Sequence, residues 1–345
     1  MPLGSLLRFG VLGAANVARG FIAGVSASHL LQVTTIASRS AAKAEAFAKE
    51  MSVPRFKGSY DALLDDPDID AVYIPLPNSL HAEWARRAVA RGKHVLCEKP
   101  VSVNASEAKA MFAAAQANGV HLVEAYPYLA QPQTLMLRQL LQESAIGRLQ
   151  LIRAHFGFNA VNLRVDPLGA PNVRFVPDLG GGALLDAGSY AVSLVRIAAG
   201  ERPSRVHAAA TWEPSGVDRT LVATLEFPSG LLGQVSCSFA AAFHRHAMIA
   251  GETGVIETTY SNHPPADGAP RVMIKRGTTA AAAFEAIEVS GGSGFLAEAE
   301  SFARLVADGP SEWHGVTPVE SVDIMLTLDA MRKSARSGIW EAVGT

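Results

Sequence analysis

The 345-residue chain predicts an α/β protein: an N-terminal doubly wound parallel sheet in residues 1–125 and a C-terminal α+β domain in residues 126–345. The second domain is expected to carry an open, mainly antiparallel sheet. Three observations support this. Strand-like and helix-like stretches alternate up to residue 125, as in βαβ units. Each of those strands ends on residues able to do chemistry. Beyond Tyr126 successive strands follow one another, with turn signals such as Pro228-Ser229-Gly230 that suit antiparallel hairpins.

Composition narrows the function classes. With 49% hydrophobic and 18% charged residues, the chain can bury two large cores. A net charge of -2 gives no broad basic surface, so nucleic acid is not an expected partner. Nor is a membrane expected: no apolar run approaches the about 18 residues that span one, and Met1 to Leu7 has no cationic start leading into a long apolar segment. The two cysteines, Cys97 and Cys237, form no CxxC pair, which excludes a disulfide framework and points to a reducing cytoplasm.

The first element is an apolar strand at 7–12, followed at once by Gly13-Ala14-Ala15-Asn16-Val17-Ala18 and a helix with Val17, Phe21, Ile22 and Val25 on one face. This is a degenerate G-x-G-x-x-G/A fingerprint, with Ala15 at the middle position. The glycine permits the turn, the small middle residue lets a pyrophosphate approach, and the helix start offers free N–H groups. An ordinary tight βα turn is the alternative. A second strand at 31–37 leads into Ser38-Arg39-Ser40 and a helix at 41–51. Where an acid would grip the ribose hydroxyl of NAD stands Arg39, which can pair with the 2′-phosphate of NADP or lie solvated in its loop.

A strand at 71–76, broken by Pro75 and Pro77, precedes Asn78, expected to cap a helix with Trp84, Ala88 and Val89 on one face. The strand from His94 ends in Glu98-Lys99-Pro100. This places a lysine where parallel sheets bind ligands, and a Lys-Pro bond can be held cis. Asn104 with Glu107 resembles a capping box, Met111, Phe112 and Ala115 give the next helix its apolar face, Gly119 ends it, and a strand at 121–125 finishes near Glu124. Gly13, Ser38-Arg39, Leu76-Pro77-Asn78, Glu98-Lys99 and Glu124 therefore share one sheet edge, where the crevice of such a sheet opens.

In the second half strands are expected at 149–158, 205–212, 220–227, 230–239 and 248–259, with weaker ones near Val272 and Ile287, a loop at 261–270, and helices from Gly294 and over 318–337. The most informative stretch is Gly180-Gly181-Gly182-Ala183-Leu184-Leu185-Asp186-Ala187-Gly188-Ser189-Tyr190. Its glycines permit close backbone approach at a helix start, and Asp186 and Tyr190 share a helix face. A tyrosine can exchange a proton with a hydroxyl or carbonyl, but its reference pKa of about 10 is high; a nearby Lys99 ammonium would lower it. Tyr190 is otherwise an interfacial helix aromatic. Arg174 either reaches the pocket or lies on the surface. His244 and His246 have the spacing of a metal pair on a strand, but no third ligand is evident and no metal is expected.

The glycine turn at 13–18, Tyr73-Ile74-Pro75-Leu76-Pro77-Asn78-Ser79-Leu80-His81, Glu98-Lys99-Pro100 and the run from Gly180 to Tyr190, in this order, resemble the glucose-fructose oxidoreductase, inositol dehydrogenase and MocA (Gfo/Idh/MocA) family over nearly the whole chain. Tyrosine rather than histidine at 190 resembles the branch containing dihydrodiol dehydrogenase and NADP-linked xylose dehydrogenase. The resemblance implies a Rossmann domain, an open sheet that mediates a homodimer or higher oligomer, and redox chemistry with NADP, or NAD, on a sugar, polyol or diol. It implies Lys99, Tyr190 and Asp186 as catalytic residues. Gly13, Ala14, Ala15, Asn16, Val17, Ser38, Arg39, Leu76, Pro77, Asn78, His81, Glu98 and Lys99 would hold the cofactor, and Glu124, Tyr126 and Arg174 the substrate. The segment Ala125-Tyr126-Pro127-Tyr128-Leu129-Ala130-Gln131-Pro132 departs from that branch at Leu129 and Gln131, where charged or titratable residues are common, and this leaves the substrate open. A cofactor-sensing regulator and a nicotinamide-dependent glycosidase are the rival functions on this fold.

Overall fold

The structure is a computed structural model describing residues 6–165, 171–263 and 270–344. Of the loop expected at 261–270, residues 264–269 lie outside the described residues. The chain forms two compact units, one of Met1–Ser102, Ser106–Gln131 and Gly292–Pro318, the other of Val103–Ala105, Pro132–Gly291 and Val319–Thr345.

In the first unit β1 (Leu7–Leu12), α1 (Asn16–Val25), β2 (Leu31–Ala37), α2 (Ala41–Glu50), β3 (Arg55–Lys57), α3 (Tyr60–Leu64), β4 (Ala71–Ile74), α4 (Asn78–Ala90), β5 (His94–Glu98), α5 (Ala105–Ala117) and β6 (Leu122–Ala125) follow one another. The six strands pair in parallel in the order β3-β2-β1-β4-β5-β6. The order reverses between β1 and β4, which is where doubly wound sheets bind ligands. β4 and β6 are buried at every position and β5 nearly so, as strands covered on both faces must be.

Local details differ from expectation for physical reasons. α1 buries Ala18, Phe21, Ile22 and Val25, a full i, i+3, i+4, i+7 stripe. Val17 falls outside it, 37% exposed. β4 stops at Ile74 because Pro75 has no N–H to pair. Pro77 then occupies the cap position, so Asn78 is the first helical residue and not the cap. Trp84 is half-buried, edge-on to Tyr60 and under the Arg87 guanidinium, while Ala85, Ala88 and Val89 take the buried face. β3 and α3 were not foreseen; they are too short to show a period.

The first unit also contains a helix from far down the chain, α8 (Gly294–Asp308). Its Phe295 and Phe302 rings pack on Phe21 and Phe9, with centroids 6.1 and 5.6 Å apart, and join one core cluster. A contiguous boundary after residue 125 omits this return. An apolar helix face read from sequence does not say which sheet it covers.

The second unit is built on α6 (Pro132–Gln142), β7 (Leu149–Gly157), α7 (Ser189–Ala199), β8 (Arg205–Trp212), β9 (Asp218–Glu226), β10 (Leu232–Ser238), β11 (His244–Gly251), β12 (Gly254–Thr258), β13 (Arg271–Arg276), β14 (Phe284–Glu288), α9 (Pro318–Ser337) and β15 (Glu341–Ala342). Its nine strands run β14-β13-β12-β11-β7-β10-β9-β8-β15, all antiparallel apart from the β7/β10 pair. The single strand expected at 248–259 is a hairpin, β11 and β12, because the chain reverses at Glu252-Thr253 between two glycines. One sheet face buries Ile152, Ala154, Leu221, Ala223, Val235, Ala247 and Ile249. The stretch Pro177–Ala199 is apolar and long enough by composition to cross a membrane, but its most apolar window is 83% buried within the protein, so it is a core element.

At the opposite end of β5 from its lysine, His94 Nδ1 accepts the His121 N–H at 3.0 Å and the two rings stack 5.4 Å apart. Burial, then the His121 charge, lowers the His94 pKa from 6.5 to about 4. Between those values the unfolded chain binds a proton that the folded chain refuses. The stability present above pH 6.5 is therefore lost as pH falls towards 4. His94→Gln keeps an acceptor but cannot titrate, so in denaturant melts it should lose less stability than the parent over that interval. Equal losses would contradict this account of the β5 start.

Candidate active site

The carboxyl edge of the first sheet begins with Gly13, whose φ of +123° is rare for L side chains, and a Cβ there would lie 3.1 Å from Leu76. Its N–H donates to Ala37 O at 2.9 Å. α1 follows with Ala15 as cap and no side chain to accept its first N–H groups, whereas α2 and α3 are capped by Ser40 and Ser59. An uncapped helix start after a tight glycine turn at the switch point fits a pyrophosphate. Ala14 and Ala15 are half-buried; Asn16 and Val17 are exposed. At the end of β2, Ser38 is buried and Arg39 exposed. Burial raises the pKa of Tyr60, against the charge and hydrogen bond of Arg39. This strand end offers a cation and no carboxylate.

β5 carries its chain to Lys99, half-buried in a turn whose Lys99–Pro100 peptide is cis. Three buried polar side chains hold the turn from beneath. Glu98 accepts the Tyr73 hydroxyl and, through Oε2 at 3.3 Å, the Lys99 N–H. Glu124 Oε1 accepts the Val101 N–H at 2.9 Å. His81 sets its two ring nitrogens 2.8 Å from Pro100 O and Leu76 O, and burial keeps its pKa below the usual value. His81 is fully buried between the turns that end β4 and β5, and Glu124 is likewise buried, with one carboxylate oxygen on the Val101 N–H. Tyr126 is 1% exposed and packs edge-on against Tyr128. Leu76, Pro77 and Asn78 are half-buried along the same edge. From α8, the buried Glu298 has a carboxyl raised well above the usual range, by burial first and the Glu98 charge second.

In the second unit the glycine run wraps around a carboxylate. Asp218, at the start of β9, accepts the Leu184 N–H at 2.6 Å, and its Oδ1 lies 2.3 Å from where a Cβ on Gly182 would sit. Gly182 also has φ +114°. Burial raises the Asp218 pKa to about 6. The chain then makes a π-helical turn over Leu184–Gly188 and enters α7, a local widening often found at functional sites. Asp186 Oδ2 accepts from Arg174 Nε at 2.7 Å. Arg174, expected at the substrate, and Asp186, expected at the hydroxyl or lysine, are thus paired with each other.

Tyr190, 7% exposed, meets the Phe156 ring edge-on at 5.6 Å. Its Oη accepts from Asn262 Nδ2 at 3.0 Å, and the Arg245 guanidinium lies 4.3 Å from its ring. Arg245 and Asn262 were missed from the sequence. The available signal was alternation: Arg245 has the inward parity of Ala247 and Ile249 on β11. His244 and His246 lie on the other face, each 5.5 Å from the His155 ring; among the described residues no group of three or more side chains could hold a metal ion.

A family model described as an oxidoreductase family with an NAD-binding Rossmann fold (Gfo/Idh/MocA) matches residues 7–126, and the Gfo/Idh/MocA C-terminal domain model matches residues 134–257. The chain belongs to the Gfo/Idh/MocA oxidoreductase family. It is 37% identical to D-xylose 1-dehydrogenase (NADP(+)) 2 of Haloferax volcanii, over 96% of this chain and 98% of that one. Identity to a trans-1,2-dihydrobenzene-1,2-diol dehydrogenase of Danio rerio is 35%, over 73% of this chain and 74% of that one. Among solved structures, KijD10, a 3-ketoreductase from Actinomadura kijaniata in complex with NADP and TDP-benzene, superposes with a TM-score of 0.83 at 32% identity, over 96% of this chain and 98% of that one.

For a Gfo/Idh/MocA oxidoreductase, the order in the second unit is as informative as the Rossmann edge, because the turn leading to Tyr190 depends on Asp218 and Gly182. Gly182→Ala would force a side chain into that carboxylate from a backbone conformation that alanine resists. It should destabilise the protein by about 2–4 kcal/mol. An unchanged midpoint in urea would show that the turn relaxes freely.

Proposed function

We propose that the protein is an NADP-preferring dehydrogenase or reductase acting on a secondary alcohol or hemiacetal carbon, or the matching carbonyl, of a sugar, polyol or diol. The observation that carries this reading is Lys99, a cation at the end of β5 held by three buried polar side chains. It is supported by relatives named for such substrates. Arg39, with no acid beside it at the end of β2, supports NADP over NAD.

When bound, the nicotinamide supplies the hydride chemistry. The turn from Gly13 to Val17 and the start of α1 would receive the pyrophosphate. Ser38 and Arg39 would receive the 2′-phosphate, and Leu76, Pro77 and Asn78 would flank the dinucleotide. Lys99 polarises the reacting oxygen, and Tyr190 exchanges its proton. Asp186 acts through Arg174, whose guanidinium it anchors. Phe156 and Phe158 give the Tyr190 neighbourhood an aromatic wall suited to the apolar face of a sugar or diol. The Ala125 to Pro132 segment leaves the particular sugar or diol open.

The same reading includes a homodimer formed through the open face of the nine-stranded sheet, with Val222 and Leu232 about half exposed there beside a groove of about 330 Å³ lined by Arg153, His155, His207 and Gln234. It places the protein in the cytoplasm, consistent with two free, buried cysteines.

A spectrophotometric panel of aldoses, inositols, diols and their keto forms with NAD and NADP tests the reading; absence of turnover throughout would favour a regulator. Arg39→Asp should turn the preference towards NAD, since a charged hydrogen bond is worth about 1.5–3 kcal/mol, or roughly 10- to 150-fold. Equal binding of the two cofactors by the parent would sink the NADP assignment. Tyr190→Phe should lower kcat by about 10²- to 10⁴-fold while NADP binding barely changes. Lys99→Met should lower it at least as far, and the two losses should be far from additive. Near-parent kcat in Tyr190→Phe would remove the tyrosine from the chemistry.

A further inference from the structure

We propose that Asn262, oriented by Arg245, is a positioning residue that fixes the Tyr190 hydroxyl and favours its deprotonated form. The inference rests on the reading of Tyr190 as the proton exchanger and concerns what tunes it.

Arg245 points inward from β11, 9% exposed, with its guanidinium 4.8, 4.3 and 4.6 Å from the ring centroids of Phe156, Tyr190 and Tyr260. Its Nη2 donates to Asn262 Oδ1 at 3.2 Å. A guanidinium has donors only, so the amide oxygen of Asn262 must face it. The amide nitrogen is thereby turned to Tyr190 Oη, 3.0 Å away. The opposite amide orientation would set a donor against a donor. Tyr190 is therefore an acceptor in this bond, and its own proton points off the Asn262 axis. A donor to the oxygen stabilises phenolate over phenol, and the cation on the ring face acts in the same direction.

The backbone supports the assignment. Tyr260, between β12 and Asn262, has φ +36°, an uncommon state for a bulky residue that persists only where its surroundings enforce it. Its hydroxyl donates to His155 O at 2.8 Å and its N–H to Thr258 Oγ1 at 3.1 Å. These bonds fix the path on which Asn262 lies. Among the described residues, the carboxylate on the same helix face, Asp186, is paired with Arg174. Arg174 senses the Tyr190 charge while paired with Asp186. His263 has its pKa lowered by burial and then by Arg245, which favours its neutral imidazole.

Asn262→Asp tests this directly. The carboxylate would still accept from Arg245, but it removes the donor to Tyr190 and adds a negative charge. The limb of the pH profile of kcat/KM that reports the tyrosine should move up by about one unit or more, with activity recovering at high pH. Asn262→Ala should move it less, in the same direction. A second readout needs no turnover: the ultraviolet tyrosinate titration of the cofactor-free protein, minus that of Tyr190→Phe, isolates this phenol among six tyrosines. It should show the same upward shift. Arg245→Lys, which keeps the charge but loses the planar fork, should reproduce the Asn262→Ala shift. An unshifted difference titration in folded Asn262→Asp overturns the inference, whatever the activity. A catalytically normal Tyr190→Phe would overturn the underlying reading instead, and the titration would still decide whether Asn262 tunes the phenol.

Discussion

One imidazole ties together the ends of two parallel strands. His81 stands between Leu76 O and Pro100 O, 2.8 Å from each, and so couples the turn after β4 to the turn that carries Lys99. Carbonyls at strand ends have left the sheet's hydrogen bonding, and each buried one without a partner would cost about 1–3 kcal/mol. A neutral imidazole has one N–H, so His81 donates to one of these carbonyls and packs against the other. Glu98 and Glu124 meet the complementary need, accepting the Lys99 and Val101 N–H groups. The turn that carries the lysine is thereby held by buried polar residues.

The second unit repeats the principle with different parts. Asp218 satisfies the helix start that the glycine run leaves bare, and Gly182 exists because that carboxylate occupies the space of a side chain. Arg174 and Asp186 neutralise each other. Arg245, stacked among three rings, sets the direction of an amide that sets the direction of a hydroxyl. In both units the functional group is one step removed from a buried polar residue that holds it.

This layering explains what was legible in the sequence. Strands ending in Gly13, Arg39, Leu76 and Lys99 could be read because alternation and strand-end chemistry are local, and the parallel sheet followed from them. The Gly180 to Tyr190 run was legible as a motif, but its cause was not, since Asp218 lies on another strand. The burial of His81 and Glu124 beneath the strand-end turns was not legible: polarity shows in sequence, whereas which side of a turn a side chain takes does not. Arg245 and Asn262 belong to no motif, and the bond between them spans a hairpin that was read as one strand. α8 returns to the first sheet through Phe295 and Phe302, a pairing visible only in three dimensions.

The central claim is that this chain moves a hydride between a nicotinamide and a carbon bearing oxygen in a sugar, polyol or diol. Deuterium placed on the reacting carbon of a substrate that turns over should appear in the reduced cofactor, one deuterium per molecule by mass spectrometry. Reduced cofactor without the label, or release of product with the label retained on its carbon and no net cofactor change, would contradict the account.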